Sequence, residues 1–283
     1  MGSSVELRED PTSIQPLEAK APHATRHAPR GRLVAHFLPT DRSPMDALIF
    51  AMTFCALAFA VFLLARFFDR RITFAMAALA AVYLGLDDLI TGLASSHGAL
   101  AFLGGNWNWT GKAFSLVLSV IVILALRIHP RAMGLTLEQQ TPMLAIVAVP
   151  GFIVWGACLG LLFQPGVADA ETLAFQATMP GLSEELVYRG IAPAIVLGFI
   201  SGKRGDYGIP WAVILATAVL FGVWHSLGYA GGAFRFDPMS GLFPFIGSIA
   251  GGWLRFKTGS LLVPVFGHCL ANTAFHLAGG VVA

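Results

Sequence analysis

Charge is what this chain lacks. Only 12% of its 283 residues are Asp, Glu, Lys or Arg, against roughly 25% in an ordinary soluble domain. With 56% hydrophobic residues, that shortage excludes a water-soluble enzyme. The net charge of +2 says little by itself, because the charges are segregated by position, and no nucleic-acid partner is expected. Cysteine is scarce too. Cys55, Cys158 and Cys269 all lie in apolar segments, spaced unlike any zinc or disulfide framework, so they read as small buried hydrophobes. No His-Glu-x-x-His sequence occurs, and there is no convincing internal repeat. The opening residues have no short apolar core with a cleavage site, so no removable signal peptide is expected. Position 6 is Glu6 rather than the Ser or Thr that a myristoylation signal wants.

Apolar runs are what the chain has instead. Stretches of about 20 residues recur, each long enough to cross ~30 Å of hydrocarbon. The pattern predicts an all-α, polytopic transmembrane bundle of about eight spans, near 45–66, 72–95, 110–127, 142–164, 173–200, 210–229, 241–255 and 259–281. The seventh is short and carries Gly247, Gly251 and Gly252, so it is expected to be tilted or partly spanning, with close helix contacts. Residues 1–43 differ in kind. Pro11, Pro16, Pro22, Pro29 and Pro39 alternate with scattered charges and no apolar periodicity, which predicts a disordered tail. The expected organisation is that tail, then N-terminal membrane helices over 44–139, then a membrane core over 140–283.

Loop charges bear on orientation. Arg66, Arg70, Arg71, Arg127, Arg131, Lys203, Arg204, Arg255 and Lys257 fall at or after the ends of alternate spans, while the intervening loops hold only Lys112 and Arg235. The positive-inside rule places the first set in the cytoplasm. The tail, with Arg8, Lys20, Arg26, Arg30, Arg32 and Arg42, then falls outside, which the same rule disfavours.

Within this apolar background stands Ser183-Glu184-Glu185-Leu186-Val187-Tyr188-Arg189-Gly190. Each charge near a bilayer centre costs ~2.5–3.5 kcal/mol, so three independent ones would cost roughly 8–10. On a helix Glu185 and Arg189 lie about 40° apart and can pair. Glu184 points about 100° away from Glu185 and is free to face another helix. That asymmetry suits a structural ion pair beside a working carboxylate; the bland alternative is that both acids merely hold helices together. Phe221 and His225 share a face further on, as do His268 and Asn272. A lone membrane histidine is usually a satisfied interhelical hydrogen-bonder. Two histidines, an amide and a free carboxylate on three apolar helices instead offer a general base, a proton carrier and oxyanion donors, the parts of a peptide hydrolase.

Glu184-Glu185-x-x-x-Arg189, Phe221-x-x-x-His225 and His268-x-x-x-Asn272 resemble the three signature motifs of the CPBP intramembrane proteases, which include type II CAAX prenyl endopeptidases and bacteriocin-processing or immunity (Abi) proteins. The run from Arg255 to Pro264 also resembles the family's approach to its last motif, and the resemblance spans about residues 140–278. It implies a multi-pass endopeptidase of a bacterial inner membrane, acting on a peptide substrate at the bilayer. It also implies that Glu184 activates water with help from His225, that His268 and Asn272 steady the oxyanion, that Glu185 and Arg189 form the supporting ion pair, and that Phe221 packs beside His225. Glu184, His225 and His268 are the alternative zinc set, but the ligands would come from three separate helices, so metal-free hydrolysis is the favoured expectation. The rival readings are a proton-coupled transporter, since buried Glu and His chains also relay protons, and a non-catalytic immunity or scaffold protein.

Other polar residues are assigned lesser roles. Asp87 and Asp88 are expected to pair with a neighbour or mark a wet helix end. His276 extends the His268–Asn272 face and is expected behind His268. Trp107 and Trp109 read as interfacial anchors, Tyr188 as packing, and His97 and His129 as solvated.

Overall fold

The computed structural model describes residues 43–100, 102–198 and 208–281. Residues 1–42 of the expected tail, and Lys203 and Arg204, lie outside the described residues. The chain is helical almost throughout. The first helices are α1 (Pro44–Ala65), α2 (Phe74–Ser96), α3 (Trp109–Leu126), the single-turn α4 (Pro130–Met133) and α5 (Pro142–Phe163). Their starts are written locally. Ser43 and Asp46 form a capping box at α1, with Pro44 in the first turn. Thr73 caps α2 and Asn108 caps α3 through their side chains, relieving amide groups that a helix start leaves unpaired. Among the described residues, α1, most of α2, α3 and α5 are long and apolar enough to cross a membrane.

The fifth expected span departs from a single helix. It breaks into α6 (Ala170–Gln176), α7 (Met179–Glu185), a π-helical segment over Leu186–Ile191 and α8 (Ala192–Val196). Pro180 explains the first break, because it has no N–H to continue the helical ladder and its ring crowds the preceding turn. The π segment falls on Leu186–Ile191, which includes Arg189, and such bulges are common at functional sites.

Next comes α9 (Trp211–Ser226), then a hairpin of β1 (Leu227–Ala230) and β2 (Ala233–Phe236), which begins inside the expected sixth span and ends it early. The strands pair antiparallel with Leu227 opposite Phe236. Gly231 and Gly232, at φ +59° and +80°, make the two-residue turn whose left-handed geometry suits glycine. The last helices are α10 (Pro238–Thr258) and α11 (Leu262–Val281). At 21 residues, α10 is longer than the short span expected. Gly241 and Gly252 serve close packing, with a Cβ on Gly241 lying 2.1 Å from the Gly222 carbonyl oxygen of α9, whereas one on Gly247, expected at a close contact, would meet nothing within 4 Å.

Phe50, Phe54 and Phe62 of α1, Leu84 of α2, Ile195 of α8, and Ile214 and Leu220 of α9 make the buried core. The outward faces are just as apolar. Val117, Ile121 and Leu124 on α3, and Ile146, Val154 and Leu162 on α5, are exposed, as a lipid-facing surface requires. Cys158 belongs to that surface: it is exposed rather than buried, while Cys269 is buried and Cys55 half-buried. At one end of the bundle the α4–α5 connection is tied to the α10–α11 turn, with Gln140 N donating to Thr258 O and Leu261 N to Gly134 O. Arg255 sits in this junction. It is buried and donates to the Ala132 and Met133 carbonyls, so it is not the loop charge expected from sequence.

Candidate active site

The broken fifth segment, α9 and α11 converge on one cavity of about 710 Å³. Glu184, Glu185, Arg189, Phe221, His225, His268 and Asn272, all singled out from sequence, line it together. Glu185 and Arg189 pair as the helical spacing predicts, with Arg189 Nη1 3.2 Å from Glu185 Oε1. Both are buried, and the Arg189 guanidinium lies 4.3 Å from the centre of the Phe221 ring. Phe221 in turn meets His225 edge-on at 4.5 Å and Tyr188 at 4.9 Å, so both aromatics act as packing.

The two histidines are held in different ways. His225 Nδ1 lies 2.8 Å from the Phe221 carbonyl oxygen. A carbonyl only accepts, so Nδ1 carries the proton, and in the neutral form of the ring Nε2 presents a lone pair. His268 Nδ1 lies 2.8 Å from Glu185 Oε1, and its Nε2 is 3.9 Å from Glu184 Oε2. One acid therefore orients His268 while the other faces its opposite nitrogen. Asn272 Nδ2 donates to Gln176 Oε1 at 2.8 Å, which leaves its second N–H for another acceptor.

Glu184 is where the structure corrects the sequence reading. It is not the free carboxylate expected. Lys112 Nζ lies 2.6 Å from its Oε1, and both side chains are buried. Lys112 is in the first turns of α3 and is not the loop charge expected from sequence. Its ammonium lies 5.0 Å from the Trp224 ring centre, and Trp224 Nε1 donates to Asp88 Oδ1 at 2.8 Å. Asp87 accepts from Ser115 at 2.6 Å. Both aspartates thus have neighbours, and Asp88 lines the cavity as well.

One side of the cavity wall is aromatic, with Phe152, Trp155 and Phe163 of α5, Phe243 of α10 and Phe275 of α11, while Thr91, Asn108, Gln176, Ser240 and Ser248 add polar groups elsewhere. Trp107 also lines it, stacking on Phe175 at 5.0 Å and donating from Nε1 to Thr172. Trp109 Nε1 donates to Glu171. Both tryptophans therefore fasten the α2–α3 connection to α6, beyond the anchoring expected of them. The rings that His276 meets are Trp107 and Phe275. His97 and His129 are exposed. Among the described residues no group of three or more His, Cys, Asp or Glu side chains is placed to hold a metal ion. In the alternative zinc set, Glu184 already carries an ammonium on one oxygen, and His225 turns one nitrogen to a backbone carbonyl.

Residues 168–274 match the family model described as type II CAAX prenyl endopeptidase Rce1-like. The matched segment contains all three polar motifs and leaves α1 to α5 outside. No curated protein matches the chain, and no solved structure does.

Proposed function

We propose that the chain is a CPBP-family membrane protease of the CAAX type, as the match over residues 168–274 supports, and that it hydrolyses its substrate within the bilayer by a metal-free, glutamate-based route. The observation that carries this reading is the convergence of Glu184, His225, His268 and Asn272 on one cavity. Water enters between Glu184 and the His225 Nε2 lone pair and attacks the scissile carbonyl carbon. Its proton passes to the Glu184 carboxylate as the C–O bond forms. The oxyanion takes hydrogen bonds from the remaining Asn272 N–H and, in the doubly protonated ring, from His268 Nε2–H. When the C–N bond breaks, the proton held by Glu184 goes to the leaving amine.

The Glu185–Arg189 pair keeps His268 in place. The aromatic wall from α5, α10 and α11 favours a substrate with an apolar or lipid-bearing end, such as a CAAX-like or bacteriocin-like peptide. Comparative membrane proteomics of wild type against Glu184→Gln, searching for altered peptide termini, identifies it. Glu184→Gln is expected to lose about 10²–10⁴ in rate, and Asn272→Ala about 10²–10³, with the proteins still inserted. Full proteolysis by Glu184→Gln would remove the mechanism. A pH-gradient-driven flux in proteoliposomes, with no cleavage, would favour the transporter instead.

A further inference from the structure

We propose that Lys112 is a positioning residue for Glu184: its ammonium engages Oε1 and leaves Oε2 as the oxygen that receives the proton of the attacking water. The inference rests on the assignment of Glu184 as the base. Three observations carry it. Lys112 Nζ stands 2.6 Å from Oε1, whereas Oε2 is buried with no hydrogen-bond partner among the described residues. Oε2 is also the oxygen that faces His268 Nε2, at 3.9 Å. Lys112 and Glu184 line the same cavity.

Charge supplies the reason for a lysine there. The site holds two adjacent carboxylates, Glu184 and Glu185, and Arg189 answers only the second. A lone buried carboxylate is costly unless paired, and Lys112 is the cation that answers Glu184. Its own placement is fixed by its helix and by two others. The α3 start sets its height, the Trp224 ring of α9 flanks its ammonium at 5.0 Å, and Asp88 of α2 holds that ring through Nε1. Three residues further along α3, Ser115 donates to Asp87 of α2 at 2.6 Å, locking the register of the two helices. Lys112, Asp87 and Asp88 all precede the matched segment, which begins at residue 168. The catalytic carboxylate is therefore completed by helices that the family match does not cover.

The test uses the full chain, purified in detergent for unfolding and reconstituted in proteoliposomes for turnover of a quenched, farnesylated Cys-aliphatic-aliphatic-X peptide. Lys112→Met is expected to lower kcat on the order of 100-fold with KM little changed, and Lys112→Arg to restore most of it. In unfolding temperature, Lys112→Met and Glu184→Gln are each expected to lower the midpoint, and the double variant to lower it by less than their sum, because the two residues act as one pair. Should Lys112→Met fail to accumulate, Lys112→Gln keeps a donor without the charge and is expected to lose about tenfold. Wild-type kcat in Lys112→Met or Lys112→Gln overturns the proposal, as do additive unfolding shifts or an arginine variant as slow as the methionine one. An inactive Glu184→Gln beside a fully active Lys112→Met removes only the lysine's role. An active Glu184→Gln, or a wild type that leaves the peptide intact, counts against the proposed function itself, while the unfolding cycle still decides the pairing.

Discussion

Glu185 has two partners at once, Arg189 Nη1 at 3.2 Å and His268 Nδ1 at 2.8 Å, and both Glu185 and Arg189 are buried. Removing its charge leaves a guanidinium without a counter-ion in a low-dielectric interior, which costs about 3–5 kcal/mol in known buried pairs. Glu185→Gln is therefore expected to unfold at a markedly lower denaturant concentration, with its residual activity falling because His268 loses its orientation. A denaturant titration followed by tryptophan fluorescence checks this; an unchanged midpoint would mean that the ion pair contributes nothing. The Glu185–Arg189 contact was legible in the sequence because the helical repeat fixes which residues four apart can meet. The Lys112–Glu184 contact was not. Its partners are 72 positions apart on different helices, and no periodicity links such positions. Lys112 near a helix start looks the same on paper whether it reaches into the headgroups or turns inward.

Helix α5 lies outside the matched segment, yet it forms one wall of the cavity. It reaches α11 through Gly156-x-x-x-Gly160, a small-residue pattern that lets membrane helices approach closely. A Cβ at Gly156 would lie 2.0 Å from the Ala271 carbonyl oxygen, and one at Gly160 would lie 2.2 Å from that of Phe275. These are backbone atoms and cannot move aside alone. Gly160→Ala is expected to push α11 away from α5 and cost ~1–3 kcal/mol by overpacking. Because Asn272 sits between those contacts, the displacement should also slow cleavage by about 100-fold. Gly151→Ala on the same helix is the control, since its Cβ would meet nothing within 4 Å; thermal unfolding and turnover of the two variants, side by side, read the difference. Equal behaviour would show that the close approach is not needed. At this scale the long apolar helices were legible from hydropathy alone. The break at Pro180 was signalled by the proline, and the hairpin by Gly231-Gly232 between Tyr229 and Phe234. The apolar composition of the flanking segments outweighed both signals. The π segment has no comparable sequence mark, because it depends on how α7 and α8 pack against their neighbours.

Across the whole molecule, Arg235 of β2 apart, the basic side chains of the described connections and the cavity mouth are expected at opposite ends of the bundle. Arg66, Arg70 and Arg71 follow α1, Arg127 and Arg131 follow α3, and Lys257 ends α10. Among the residues that line the cavity, Trp107, Gly166, Val167 and Asp237 lie in the connections α2–α3, α5–α6 and β2–α10, and its mouth is expected there. The hairpin lies on this side with the start of α1, roughly 33 Å along a 22-residue helix from the α1–α2 turn. The positive-inside rule assigns the arginine-bearing connections to the cytoplasm, so the mouth is expected to face away from it. In a background with Cys55, Cys158 and Cys269 replaced by serine, a membrane-impermeant maleimide added to intact cells should label Ala233→Cys on the hairpin and spare Arg70→Cys. Both positions are exposed, so accessibility reports sidedness and not burial. The reverse pattern would set the mouth on the cytoplasmic side, and substrates would then arrive from within the cell. The first pattern means that peptides reach Glu184 only after their cleavable ends have crossed the membrane, which ties turnover to export.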